Sequence, residues 1–227
     1  MKRTEQKNRV ETRRHKALRR TLICLAALTV FSTLHLYTFT PMQGIRYTEA
    51  QGGTGRTRPV ARMLPPEELK LGPTLFYLTA NKNAMLMTYV RFYPLMGWAD
   101  SLGASLDCSE EAKLHAALWS VSNDGTSVQY VFGRVDDPKI KAMTVSVEEI
   151  RYDSGQEIRE ELLRTDTEAV RWYRKDAQRY FVIPVDNPQK TNEDLGFMTY
   201  SVLGLDEEGR EMTIQSVGDQ RTDTYIG

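Results

Sequence analysis

Cysteine and histidine are nearly missing from this chain, with two and three copies in 227 residues. Cys24 lies inside an apolar run and Cys108 far beyond it, so no disulfide is expected to staple the folded part, and stability must come from a buried core. Cys108 is expected as a small buried hydrophobe rather than a reactive thiol. His115 is the only histidine beyond the first 40 residues, which excludes a multi-histidine zinc site and leaves it as a structural residue on a strand. The nucleophile elbow G-x-S-x-G, the phosphate loop G-x-x-x-x-G-K, H-E-x-x-H and the twelve-residue calcium loop do not occur either. No cofactor, no metal and no catalytic residue is expected.

A second absence is local. From Thr21 to Thr40, T-L-I-C-L-A-A-L-T-V-F-S-T-L-H-L-Y-T-F-T, there is no acid, lysine, arginine, glycine or proline. Twenty residues of helix rise about 30 Å, the thickness of a bilayer hydrocarbon core, so residues 21–40 are predicted to form one transmembrane helix, stopped by Pro41. The run is too long for a cleaved signal peptide and ends without a small-x-small site. Tyr37 and Phe39 fall where aromatic rings favour the interface. His35 is expected near the outer end, able to reach water.

Charge gives the orientation. Residues 1–20 carry nine bases against two acids, a net of +7, while the remainder holds 21 bases and 28 acids, a net of −7. Bases flanking a span stay inside, which predicts a basic cytoplasmic tail, 1–20, lying on anionic lipid headgroups, and an extracytoplasmic carboxyl-terminal part. The acidic balance outside excludes nucleic acid as the partner of the folded part.

Residues 41–73 read as an extracytoplasmic linker, because Gly52 to Gly55, Pro59, Pro65 and Pro66 interrupt every periodicity. Within it P-P-E-E-L-K suits a helical turn. Beyond Pro73 the texture is short β-type runs. Thr74 to Ala80 and Ala84 to Tyr93 flank Asn81-Lys82-Asn83; Lys113 to Val121 and Thr126 to Phe132 flank Ser122-Asn123-Asp124-Gly125; Phe197 to Leu205 and Arg210 to Val217 flank Asp206 to Gly209. Met143, Val145 and Val147 alternate with polar residues, and Gln178 to Val185 is apolar on both faces, as an interior strand would be. Glu157 to Arg174 has helix-forming composition but sits between strands, and reads as a strand pair with an edge or loop. The fold class expected for residues 74–227 is mainly β, an antiparallel sandwich of immunoglobulin-like or jelly-roll-like type.

The stretch Tyr130 to Val145, Y-V-F-G-R-V-D-D-P-K-I-K-A-M-T-V, together with Gly97-Trp98, Gln178 to Pro184 and Gly204 to Gly209, resembles uncharacterised small membrane-anchored proteins of Gram-positive bacteria. That resemblance covers about two-thirds of the chain and implies an extracytoplasmic β-sandwich, with no catalytic residue carried over. In it Asp136-Asp137-Pro138 is a turn.

Paired acids, Glu110-Glu111, Asp136-Asp137, Glu148-Glu149 and Glu160-Glu161, are the nearest thing to a catalytic signal. Neighbours on a strand point to opposite faces, so a sugar-cleaving couple would need carboxylates from separate strands. Asp124, Asp136 and Asp137 are the best of poor calcium ligands. Trp98 and Trp119 lie on runs beside clear turns and are expected in the core. Trp172, surrounded by Arg171, Arg174, Lys175 and Asp176, is the candidate binding residue at the surface. The function expected is therefore a membrane-anchored envelope module that binds or senses an envelope protein or ligand. An envelope-polymer hydrolase and an accessory subunit of a membrane complex are the alternatives.

Overall fold

The structure, a computed structural model, describes residues 2–33, 37–153, 156–186 and 197–217. Helix α1 (Lys2–Thr33) joins the basic tail and the start of the apolar run in one continuous element. Among the described residues no helix is long and apolar enough to cross a membrane; the apolar part of α1, residues 21–33, rises about 20 Å. His35 lies outside the described residues. By Thr38 the chain is already extended, in a parallel bridge with Gly97.

Pro41 does not stop a helix; it opens one. Helix α2 (Pro41–Gln51) has Thr40 as its cap, with a reciprocal pair of bonds: the Gln43 amide donates to Thr40 Oγ1 and the Thr40 amide to Gln43 Oε1 at 3.0 Å. A capping box with proline at the first helical position is a strong start signal, and it ends the extended stretch that includes Tyr37 to Phe39.

Twelve strands follow among the described residues: β1 (Arg58–Met63), β2 (Thr74–Ala80), β3 (Ala84–Tyr93), β4 (Gly97–Asp107), β5 (Leu114–Asn123), β6 (Thr126–Val135), β7 (Ala142–Asp153), β8 (Gln156–Arg164), β9 (Arg171–Lys175), β10 (Gln178–Val185), β11 (Phe197–Leu205) and β12 (Glu211–Val217). They make three four-stranded antiparallel sheets, ordered β1-β2-β3-β4, β5-β6-β10-β9 and β12-β11-β7-β8. The first is a meander; the other two share hairpins alternately along the chain. Asp124 and Gly125, both at positive φ, form the two-residue turn between β5 and β6, the geometry that matches strand twist.

Two cores fix the layering. Phe76, Leu78, Met85, Met87 and Tyr89 of the first sheet pack on Trp119, Tyr130, Phe132, Tyr180 and Val182 of the middle sheet. On the other face of that sheet, Leu118, Val131, Phe181 and Ile183 pack on Met143, Val145, Val147 and Val202 of the third. The middle strands are apolar on both faces because both faces are covered. Trp119 lies edge-on to Phe76, with ring centroids 4.9 Å apart, at the centre of the first core. Helix α2 covers the outer face of the first sheet, placing Ile45 against Tyr77, Leu86 and Val90.

The mainly β, antiparallel expectation is met, and the face-to-face sheets are consistent with a sandwich; the third layer goes beyond an immunoglobulin-like or jelly-roll-like pair of sheets. Residues 41–73 are not an irregular linker. They supply α2, the edge strand β1 and a one-turn 3-10 helix, Glu67–Leu69. Pro59 is tolerated because β1 has a neighbour on one side only, and Ile45, Leu69 and Leu71 are buried. The segment Glu157 to Arg174 is extended as expected, but β8 and β9 are edges of different sheets, joined through a 3-10 turn, Thr167–Ala169.

Candidate functional site

One end of the first two sheets gathers the polar groups. His115, Arg134 and Tyr180 are direct cross-strand neighbours on β5, β6 and β10, and all three are buried. Arg134 is satisfied from several sides: its Nε and Nη2 donate to Asp136 Oδ2 at 3.1 and 2.8 Å, Nη1 to the Lys82 carbonyl at 2.8 Å, and Nη2 to the Cys108 carbonyl at 3.1 Å. It thereby ties the β2–β3 turn and the end of β4 to the middle sheet. A buried guanidinium needs that number of acceptors. Asp136 is therefore a partner of Arg134 rather than a turn residue bonding amides; Asp137 does cap the turn, accepting from the Lys139 amide at 2.9 Å.

The same surroundings set the acid–base character. Burial, and next the Arg134 charge, hold the His115 imidazole below its ordinary pKa, against the pull of Asp136, whose carboxylate is 3.3 Å from Nε2. Burial pushes the Cys108 thiol up to about 11, so at neutral pH it is a protonated thiol with little nucleophilic character. Asp107 is held below the usual carboxylate range, chiefly by the Ser109 amide.

Around this end the surface is recessed. A cleft of about 380 Å³ between β1, the β2–β3 turn and the β9–β10 turn is lined by Arg56, Arg58, Lys82 and Lys175, with one acid, Asp176, and with Gln178 and Tyr180 at its inner wall. Tyr180 donates to Gln178 Oε1 at 2.7 Å. Asn81 shapes the rim: its Nδ2 donates to the Thr54 carbonyl at 2.7 Å and its Oδ1 accepts from the amides of Asn83 and Ala84. Lys175 donates to the Pro59 carbonyl, bridging the two edge strands, and keeps further N–H groups for a ligand. Four cations around one recess repel one another, and an anion placed among them removes that cost.

Trp172 is where an edge residue is expected, on β9, 37% exposed. Its ring meets Phe181 edge-on at 6.3 Å and lies under the Arg179 guanidinium, 5.5 Å from the ring centroid. Alternation along β9 puts it on the opposite face from Lys175, so it does not line the cationic cleft. Trp119 is core, and Trp98 is half-buried against Phe92 and the α2 face. Of the paired acids, Glu148 approaches Arg159 at 3.8 Å and Glu161 is held by Arg164 at 2.8 Å, which occupies them as ion pairs. Among the described residues with defined side chains, no group of three or more His, Cys, Asp or Glu is placed to hold a metal.

Nothing in the sequence linked Arg56 and Arg58 to Lys82 and Lys175, because the first two lay in the supposed linker. Neither a family model, nor a curated protein, nor a solved structure matches the chain.

Proposed function

We propose that this is a single-pass envelope protein: a basic tail inside on anionic headgroups, the apolar run that starts at Thr21 crossing the membrane and leaving it by Tyr37 to Phe39, and an extracytoplasmic, non-catalytic β-sandwich module that binds or senses a ligand outside. The observation that carries the anchor is the state of α1. Leu22, Ile23, Leu25, Leu28 and Val30 point around the helix and are each 48–58% exposed, a set that water does not tolerate on one helix and a bilayer does. Tyr37 and Phe39, where the chain is extended, serve as interfacial aromatics at its outer end. Alkaline carbonate extraction of membranes from expressing cells tests this: the full chain stays in the pellet, and a variant lacking residues 21–40 does not. Full-length protein released by carbonate contradicts the anchor.

For the ligand, the cationic cleft gathers four bases against one acid in a folded part that is acidic on balance, and it favours an anionic group, phosphate- or carboxylate-bearing. Titrating the detergent-solubilised chain with inorganic pyrophosphate, at low and high salt, is the direct assay. Arg58→Glu and Lys175→Glu should each abolish the salt-sensitive binding. Trp172 is proposed as a separate surface contact, for a partner that lies along the β9 edge. Loss of pyrophosphate binding in Trp172→Ala, with the charge reversals silent, would reverse the two assignments.

A further inference from the structure

We propose that the β3–β4 hairpin tip, Tyr93 to Met96, is a second membrane contact that rests in the outer lipid interface beside the anchor and fixes the tilt of the module. This rests on the anchor reading above and adds a lipid surface as the partner of a particular loop. The tip is apolar where a solvated turn would be polar: Leu95 is 90% exposed, Met96 55% and Tyr93 37%, and no charge occurs from Phe92 to Ala99. Such residues at a hairpin tip mark an interaction surface.

What identifies the partner is the tip's attachment. The Thr38 amide donates to the Met96 carbonyl at 3.0 Å, and the Trp98 amide donates to the Thr38 carbonyl at 2.9 Å. Thr38 is five residues beyond the last described turn of α1, so the main chain leaving the apolar helix is bonded to this hairpin. Gly97 makes the bond possible: it sits at φ 78°, and a Cβ there would lie 2.0 Å from the Thr38 carbonyl oxygen. Phe39, 41% exposed, and Tyr37 flank Thr38 with tilted rings whose centroids lie 4.8 Å apart, and Arg91 stands over the Tyr93 ring at 5.5 Å. Aliphatic residues at the tip, aromatics behind them and a guanidinium behind those is the order in which a bilayer presents acyl chain, interface and phosphate. The cationic cleft lies at the other end of β3, about 33 Å away along ten residues of strand, where it faces away from the lipid.

The experiment uses the full chain with Cys24→Ser, carrying an environment-sensitive NBD fluorophore at Leu95→Cys, in vesicles of phosphatidylcholine and phosphatidylglycerol. Buried Cys108, with its raised pKa, does not compete for the label. Controls carry the probe at native Cys24 or at Lys82→Cys. A blue shift at position 95, with quenching by headgroup-proximal nitroxide lipids and none at position 82, supports the proposal. A water-like probe at 95 with a quenched probe at 24 overturns the tip contact and leaves the anchor standing. Unquenched probes at both 24 and 95 bring down the anchor reading and the tip with it. Shielding of 95 that persists in lipid-free micelles and rises with protein concentration identifies a second copy of the chain, and also overturns the proposal.

Discussion

Arg134→Ala should be the most damaging single truncation of the polar end. The wild-type guanidinium makes four hydrogen bonds to three acceptor groups, Asp136, the Lys82 carbonyl and the Cys108 carbonyl. Removing one partner of a buried charge pair costs about 3–5 kcal/mol. Asp136 is partly exposed and regains water, so the lower end applies, about 3 kcal/mol, even with two carbonyls left short of a donor. For a domain of this size that corresponds to a fall in Tm of roughly 6–12 °C. Arg134→Lys keeps the charge but cannot fork between Asp136 and both carbonyls, and should lose about half as much. The assay is denaturant unfolding of the full chain in micelles, followed by tryptophan fluorescence, which Trp119 in the adjacent core makes sensitive to loss of packing. A stability change below about 0.5 kcal/mol for Arg134→Ala would refute the claim that this residue clamps the first sheet to the middle one.

His115, with its pKa depressed by burial and then by Arg134, refuses a proton in the folded state that the unfolded chain accepts. Stability should thus be fully present above about pH 6.5 and decline as pH falls from there through the lower folded pKa; His115→Gln should flatten that slope in pH-dependent unfolding curves, and an unchanged slope would point to another group. Asp107 and Asp206, both held low by backbone amides, lose their contribution only at more acidic pH. Ala177 occupies the left-handed region at φ 63° in the β9–β10 turn, so Ala177→Gly should raise stability by up to about 1 kcal/mol in the same assay; destabilisation would mean that the alanine methyl makes a packing contact of greater value. Trp172→Ala should leave the module folded at a cost of about 1–2 kcal/mol, from its contacts with Phe181 and Arg179, and collapse of the circular dichroism signal would instead make it a core residue.

Strand positions were legible where the signal is local. Thr74 to Ala80, Ala84 to Tyr93, Gln178 to Val185 and Phe197 to Leu205 coincide with β2, β3, β10 and β11, because alternation and turn residues act over a few positions. The apolar character of Gln178 to Val185 on both faces foretold an interior strand, though not that a whole third sheet would cover the second face. The linker expectation for residues 41–73 rested on glycines and prolines, which turn out to be a short connection and the start of an edge strand, and it took no account of Thr40 and Gln43, whose side chains cap α2. The cationic cleft was illegible because its bases come from three separated stretches, Arg56 with Arg58, Lys82 and Lys175, brought together by sheet packing, and the Arg134 clamp because a buried arginine reads in sequence like any exposed one.

The central claim, basic tail inside and sandwich outside, is tested most directly by labelling intact cells with a membrane-impermeant maleimide. In a Cys24→Ser background, a cysteine at position 208, in the exposed β11–β12 turn, should label in intact cells, and a cysteine at position 4, in the basic tail, only after permeabilisation. Labelling at position 4 and not at position 208 in intact cells, or at neither, would contradict the account.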